Sequence, residues 1–367
     1  MQIADLKLLN FRNYNKLEVS FSKNNIIYGK NGMGKTNLIE AIYVLALTKT
    51  FRSNNDKILI KEDKEQSKIS GNIIDDIKKN YQIIITKNGK NVKIDNNSYK
   101  KISDYISNIK VIIFNPNDLQ IIKDSPSIRR KLLNVSISQL DNKYLKILSS
   151  YNKILKQRNS YLKTMYLNSN TSQEYLNILT DKLIDLGTQI YDYRNNYIDE
   201  INKLIDIIYE KISNIKGVSI EYLSDFNKLK KEDIKKKYIE LQEKDMLFGM
   251  TKFGVHHDDL LFKLNNKELK EFGSEGQQKN AIIAYKLSEI SVFNDKINKL
   301  PILLLDDLFS ELDNEKINNI LNIIDDKIQT FITTTEIDKV NKNIINNSKI
   351  FHITENGVEE VKIWKMK

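Results

Sequence analysis

The sequence predicts a mixed α/β body that is split by an inserted helical arm domain, itself folded back as an antiparallel coiled-coil hairpin. Three observations predict it. Strand-like segments crowd the first third of the chain, apolar residues at alternating spacings of three and four run through its middle, and the strand–helix alternation resumes from residue 260 onward.

Residues 2–9 and 17–21 read as strands, and 25–28 as a short apolar strand running into a glycine. Residues 69–74, 81–86 and 92–94 follow as antiparallel strands, with Asn88-Gly89 expected as the hairpin turn between the last two. Then the period changes. Leu148, Tyr151, Leu155, Arg158, Leu162 and Met165 form one stripe, and Leu176, Leu179, Leu183, Leu186, Ile190, Tyr193 and Tyr197 a second, extended by Ile201 and Leu204. Such heptad spacing is a helix–helix seam. The polar break at 168–172 turns the chain back, giving a hairpin that projects as an arm; the alternative is a helical subdomain whose stripe faces a local core. From residue 260 come a strand (260–264), a long helix (276–293), a fully apolar strand (301–306), a helix (314–324), a strand (330–334) and a last hairpin turning at Asn356-Gly357. The predicted organisation is therefore residues 1–138, 139–250 and 251–367, the first and third forming one α/β domain around the second.

Composition narrows the function classes. The 367 residues include no cysteine, which excludes disulfides and thiolate metal sites and suits a reducing, cytoplasmic setting. Three histidines are too few for a rich metal centre, and a metal pair at His256 and His257 has nothing to complete it. The N-terminal strand pattern is not that of a signal peptide, and no run approaches the roughly 18 apolar residues of a membrane helix, so no membrane is expected as partner. The formal charge of +10 favours a polyanionic partner, although a chain rich in Lys, Asn and Ile could carry that excess by composition alone.

The chemistry begins at Gly29-Lys30-Asn31-Gly32-Met33-Gly34-Lys35-Thr36, a glycine, four residues, then Gly-Lys-Thr. Glycines let backbone N–H groups crowd a phosphate, and the helix that follows presents its positive end to it. Lys35 reaches the terminal phosphates as a point charge, and the Thr36 hydroxyl ligates Mg²⁺. Lys35 is expected as a solvent-reached loop residue without a role in the core. The flanking strand and helix are the context this loop requires, so ATP with Mg²⁺ is the expected cofactor.

The metal needs an acidic partner. Residues 302–305 form an apolar strand that ends in Asp306 and Asp307. Asp306 suits the Mg²⁺ shell, and Asp307 could polarise the attacking water; the plainer alternative is a strand end or helix cap. A third element, Gly273-Ser274-Glu275-Gly276-Gln277-Gln278, opens the long helix. A serine and a glycine at a helix start make a second anion site, unless they serve only as an N-cap. The phosphate loop already holds one nucleotide, so Ser274, Gly276 and Gln277 can act in trans on a nucleotide held by another subunit.

In this order and spacing the elements resemble those of ABC ATPases, whose signature reads Ser-Gly-Gly-Gln; Glu275 replaces the first of those glycines. The resemblance makes Ser310-Glu311-Leu312-Asp313 the dimer-contacting D-loop, with Ser310 and Asp313 as contact residues. Within that class the chain resembles the RecF family over nearly its whole length. The resemblance rests on Phe11-Arg12-Asn13-Tyr14, Lys49-Thr50-Phe51-Arg52-Ser53, Ser125-Pro126 with Arg129-Arg130, Gln157-Arg158-Asn159 and Gly273 to Gln278. It places Arg12 near bound ATP.

Five of the six arginines (12, 52, 129, 130 and 158, but not 194) fall in these segments, and the arginine fork suits phosphate; Arg158 could instead snorkel from the seam. Two departures stand out. Gly254-Val255-His256-His257-Asp258-Asp259 replaces the family's Gly-Pro-His-Arg-Asp-Asp, which leaves a charge role at His257 in doubt. Thr333-Thr334-Thr335 stands where many ABC ATPases have a switch histidine, a run RecF relatives share, so hydroxyls are expected to sense the γ-phosphate.

The resemblance implies an ATP-dependent homodimer that binds double-stranded DNA at junctions with single-stranded gaps. It also implies RecR as partner, a functional link to RecO and RecA loading, and slow hydrolysis that releases the dimer. Lysine runs such as Lys228, Lys230, Lys231 and 235–237 would then contact DNA or a partner, or simply form a solvated helix face. Competing readings are the ATPase subunit of an ABC transporter, another SMC-like chromosome ATPase, and an ATPase–nuclease of the overcoming-lysogenisation type. For the last, the stretch after Asp313 is expected to be too short to hold a nuclease domain.

Overall fold

The computed structural model describes residues 1–168, 171–308, 312–337, 340, 342–355 and 357–361. These gather into two compact units. The first comprises Met1–Asp118, Lys211–Asn214 and Ile283–Lys367, the second Leu119–Glu210 and Ile215–Ile282.

The first unit holds two sheets. One is antiparallel, its six strands ordered Tyr14–Ser20, Gln2–Phe11, Gln66–Ile74, Lys78–Thr86, Gly89–Ile94 and Asn97–Tyr99. Thr86 pairs with Gly89, so the hairpin loop is Lys87-Asn88, one residue earlier than the Asn-Gly pair suggests. In the other sheet, Val111–Phe114, Ile302–Leu305, Thr330–Thr334, Asn24–Tyr28 and Lys349–Thr354 run parallel, and Gly357–Val361 closes the edge as a hairpin. All four residues of Ile302–Leu305 and all five of Thr330–Thr334 are buried, as expected for strands covered on both faces. The helix Lys35–Leu47 packs against strands of both sheets and is buried from Leu38 onward. Phe21 meets Phe331 and Phe351, on two strands of that parallel sheet, edge-on at 4.8 and 5.7 Å.

The second unit is built on the helices Asn142–Leu167 and Gln173–Asn202. Tyr161 meets Tyr175, Arg158 meets Thr180, and Tyr144 meets Arg194. As one member of each pair moves down the chain, the other moves up, which is an antiparallel pairing. Leu162, Tyr151, Leu176, Leu179, Leu183, Ile190 and Tyr197 bury the seam that the heptads predict. Residues 119–138 and 251–282 also belong to this unit. So does a strand inside the stretch read from sequence as helical: Val218–Leu223 pairs antiparallel with Asp259–Leu264, which in turn pairs with Lys267–Glu268. Its alternating burial is the period-2 pattern of a half-covered strand. The long helix Glu275–Ile297 starts in the second unit and ends in the first. Among the described residues, no helix is long and apolar enough to cross a membrane.

Candidate nucleotide site

The parallel sheet brings the phosphate-loop strand and the acidic strand into one layer, with only Thr330–Thr334 between them. Chain turns at their C-terminal ends therefore converge. Gly34 caps the helix Lys35–Leu47 in the left-handed region, at φ 112°. A Cβ there would sit 2.7 Å from the Asn13 amide nitrogen and 3.0 Å from the Tyr14 hydroxyl, so only glycine fits. Those two neighbours explain the Phe11-Arg12-Asn13-Tyr14 segment. Asn13 donates to the Met33 carbonyl at 3.1 Å and Tyr14 to the Gly34 carbonyl at 3.0 Å, bracing the loop from outside.

Lys35 corrects one expectation. It is the first helical residue and only 6 % exposed, not a solvent-reached side chain. Its ammonium donates to the carbonyls of Gly29 (2.7 Å) and Lys30 (3.1 Å) and to the Asn31 side-chain oxygen (3.4 Å). Burial pulls its pKa below the usual lysine value, while Asp307 and Asp306 push the other way.

The Thr36 hydroxyl donates to Asp306 Oδ1 at 3.1 Å, and Thr333 donates to the same oxygen at 2.7 Å. Burial raises the pKa of the Asp306 carboxyl; both hydroxyls counter it, and Asp307 adds to it. Thr333, from the threonine run, thus supports the carboxylate and also accepts the Asp307 N–H at 2.8 Å. Asp307 itself turns the chain at φ 52°, a conformation aspartate tolerates better than most residues. Thr36 and Asp306 present hard oxygens side by side, the donor set Mg²⁺ prefers, and Gly29 to Lys35 form a phosphate cradle beside them, so these residues fit Mg²⁺ and a nucleoside triphosphate.

Arg12 has a specific partner. Its Nε and Nη2 each lie 2.8 Å from a carboxylate oxygen of Glu40, a fully buried acid on the helix that follows the loop. Thr50 donates to that carboxylate as well. Glu40 escaped the sequence reading, although a lone acid in the apolar run Leu38 to Leu47 is itself a signal of a buried pair.

Three other arginines read as phosphate-binding or unassigned from sequence turn out to be buried structural ions. Arg158 is neither a phosphate ligand nor a snorkelling side chain: it is 1 % exposed and bonded to Asp245, Thr251 and Thr180. Arg129 grips Asp259 with Nε at 2.6 Å and Nη2 at 2.9 Å. Arg194 joins Asp258 to Tyr144, Asn134 and the Val255 carbonyl. The two aspartates that end the His256-His257-Asp258-Asp259 segment are thus the anchors of two arginines.

In the second unit, Ser274 and Gln277 cap each other. The Ser274 N–H donates to the Gln277 side-chain oxygen at 2.9 Å, and the Gln277 N–H to the Ser274 hydroxyl at 3.3 Å. The N-cap alternative is therefore realised in the geometry, and Ser274, Glu275 and Gly276 stay exposed on the surface. A Cβ at Gly276 would meet nothing within 4 Å. Gln278, by contrast, is buried and holds the turn through the carbonyls of Leu269 and Gly273. Ser310 and Glu311 lie outside the described residues. Asp313 caps the helix Asn314–Ile323, accepting from the Lys316 N–H at 2.9 Å.

A parallel sheet carrying a phosphate loop and an acidic strand, with a helical hairpin inserted, defines the head of an ABC-type ATPase. The comparisons agree and go further. The family model described as RecF/RecN/SMC N terminal domain matches residues 2–359. The DNA replication and repair protein RecF of Bacillus velezensis is 36 % identical over 97 % of this chain and 99 % of its own length. That of Bacillus pumilus is 37 % identical over 98 % of this chain and 100 % of its own length. The solved structure of the recombination mediator protein RecF-ATP in the RecFOR pathway superposes with a TM-score of 0.90, at 31 % identity over 98 % of this chain and 97 % of that one. The Smc head domain of Pyrococcus furiosus, at 17 % identity and TM-score 0.52, shares the fold. This chain belongs to the RecF family.

Proposed function

We propose that the protein is an ATP-hydrolysing switch of recombinational repair and replication, working as RecF proteins do in a RecFOR-type pathway. The observation that carries this reading is the single oxygen of Asp306 held by both Thr36 and Thr333 beside the phosphate loop. Thr36 and Asp306 would hold Mg²⁺, and residues 29–36 with Lys35 would hold the phosphates of ATP. Bound Mg²⁺ would supply charge neutralisation across the β- and γ-phosphates. Asp307 is the group proposed to orient the attacking water, and Ser274, Gly276 and Gln277 would close on the nucleotide of a second copy. The exposure of Ser274 and Gly276 supports use by a partner and not within the subunit.

In this reading ATP bolts a homodimer together around double-stranded DNA near single-stranded gaps. Slow, DNA-stimulated hydrolysis releases it, and contacts with RecR, in concert with RecO, assist RecA loading. Family membership over the whole chain and the net charge of +10 support the DNA partner. Ser310 and Asp313 are proposed as dimer contacts. Sedimentation with and without ATP and duplex DNA tests the proposal: a dimer that forms only with ATP and is strengthened by DNA is expected, and a monomer under all conditions would overturn it.

A further inference from the structure

Glu275 sets this signature apart. It stands where the ABC signature has a glycine, and it opens the helix Glu275–Ile297 with 79 % of its side chain exposed. Within one subunit the carboxylate suits the positive end of that helix. For a phosphate brought by a second copy the same charge is a repulsion, placed at the helix end that should attract an anion.

The charge has a partner far away in sequence. Lys123 Nζ donates to Glu275 Oε1 at 2.6 Å. That hydrogen bond, and then the charge of Lys123, hold the Glu275 carboxyl below its usual pKa, so it is ionised near neutral pH. Two long side chains that meet on a surface ordinarily contribute little, because both give up freedom in the pairing. Here the backbone under each is fixed. Lys123 ends the short helix Gln120–Lys123, whose Ile121 and Ile122 are buried. Arg129 Nη1 donates to the carbonyls of Ile121 (3.0 Å), Ile122 (3.2 Å) and Asp124 (2.7 Å), on both sides of Lys123, while Nε and Nη2 grip Asp259. On the other side, the buried Gln278 donates to the carbonyls of Leu269 (2.8 Å) and Gly273 (3.1 Å) and so sets the turn that carries Glu275. The helix Leu269–Phe272, which leads into that turn, packs on Gln120–Lys123. Two rigid supports thus bring one cation to the one carboxylate that lies between Ser274 and Gly276.

We infer that Lys123 is a positioning residue of the signature, cancelling the charge of Glu275 so that the nucleotide of a second copy seats on Ser274 and Gly276. The inference rests on the reading in trans given above. Lys123 acts through Glu275 and not on the phosphate itself, and this separates it from an ordinary basic contact.

Dimerisation of the full chain by a non-hydrolysable ATP analogue with Mg²⁺, followed by sedimentation velocity over a concentration series, tests this as a double-mutant cycle. Lys123→Ala should weaken the dimer roughly tenfold or more, because it leaves a like charge facing phosphate. Glu275→Gln should dimerise at least as tightly as wild type, and adding Lys123→Ala to it should have no further effect. Lys123→Arg, which keeps the charge, should behave as wild type. Added salt should narrow the gap between wild type and Lys123→Ala, since exposed charges are screened. Affinity of the monomer for the analogue and the melting temperature should stay at wild-type values throughout. Equal losses from Lys123→Ala with and without Glu275→Gln would overturn the inference in favour of a direct phosphate contact. A lower melting temperature with a loss that Lys123→Arg does not restore would overturn it in favour of a structural role. A Lys123→Ala dimer of wild-type strength, with Ser274→Arg still blocked, would overturn it and leave the reading in trans standing. A wild type that stays monomeric, or a Ser274→Arg variant that still dimerises, would remove the reading in trans, and this one with it.

Discussion

Thr36 and Asp306 are 270 residues apart in the chain and 3.1 Å apart in the fold. Parallel pairing produces that meeting: Asn24–Tyr28 and Ile302–Leu305 both pair with Thr330–Thr334, so their C-terminal ends open on the same edge. A ligand bound outside the carboxyl ends of such strands meets both turns at once. The sheet thereby fixes the distance between a hydroxyl and a carboxylate that no local sequence could fix.

Replacing Lys35 with Ala should lower ATP affinity by about 3 kcal/mol, roughly a hundredfold, while the protein still folds. The ammonium is bonded to the loop's own oxygens and not to the apolar core, so its loss acts on the loop first. Alanine is also a good first residue for the helix. Titration calorimetry with ATP checks the affinity and circular dichroism the fold; undiminished affinity would remove the phosphate-loop assignment.

Asp307→Asn should trap an ATP-bound dimer. The amide keeps the size of the side chain and leaves the Asp307 N–H on Thr333 intact, while Asp306 stays available to Mg²⁺. Only the carboxylate proposed to orient water is lost. Turnover should drop at least tenfold, the lower range for loss of a positioned general base, with ATP affinity retained. Phosphate release assays beside sedimentation decide it, and unchanged turnover would move that role to another group.

Ser274→Arg should leave ATP binding by the monomer nearly intact and block ATP-driven dimerisation and hydrolysis. Ser274 and Gly276 are exposed, and Gly276 has open space around it, so the bulky side chain is accommodated in the isolated subunit. It would stand in the way of a second subunit's nucleotide. Light scattering with a non-hydrolysable ATP analogue checks it, and a dimer of wild-type strength would contradict the proposed sandwich.

Much of this was legible because the signals are local. The phosphate loop, the apolar strand ending in Asp306 and Asp307, and the heptads of the arm all declare themselves within a dozen or so residues. What stayed hidden depends on distant partners. Arg158 and Arg129 sit in segments that suggest phosphate binding, and only Asp245 and Asp259, 87 and 130 residues away, make them structural. Glu40 needs Arg12 beside it to reveal its purpose. The strand Val218–Leu223 is too short to stand out from its helical surroundings, and pairing with Asp259–Leu264 makes it a strand.

His256 should make the protein less stable in mild acid. Burial pulls its pKa from 6.5 down to about 4; the Thr251 carbonyl opposes this, and His257, Arg130 and Arg158 add to it. Nε2 faces that carbonyl at 3.0 Å, so it carries the proton, and Nδ1 accepts from the Tyr151 hydroxyl at 2.7 Å. The unfolded chain takes up a proton near pH 6.5 and the folded one only near pH 4, so the stability present above pH 6.5 is lost as pH falls through that window. The slope from this residue is at most about 1.4 kcal/mol per pH unit. Urea unfolding of the wild type and His256→Gln across the window checks it. The variant should show the shallower dependence, and equal slopes would rule the histidine out.

Tight binding of duplex DNA should belong to the ATP-bound dimer. Each subunit carries a net charge of +10, so closing two of them around a nucleotide pair doubles the cations available to one duplex. Each phosphate neutralised releases condensed counterion, so the logarithm of affinity should fall with the logarithm of salt at about −0.9 per contact. The effect should depend little on base sequence, because phosphate contacts position a protein without reading bases. Repulsion between the two basic subunits opposes closure, and the polyanion offsets it. Binding linkage is reciprocal, so DNA should also tighten ATP-driven dimerisation by the same factor by which dimerisation tightens DNA. Fluorescence anisotropy with a labelled duplex, without nucleotide, with ADP and with a non-hydrolysable ATP analogue, over a salt series, checks both halves. The analogue should give the tightest binding and the steepest salt slope. Equal, weak binding in all three states would leave only diffuse attraction to lysines and would remove DNA from the proposed function.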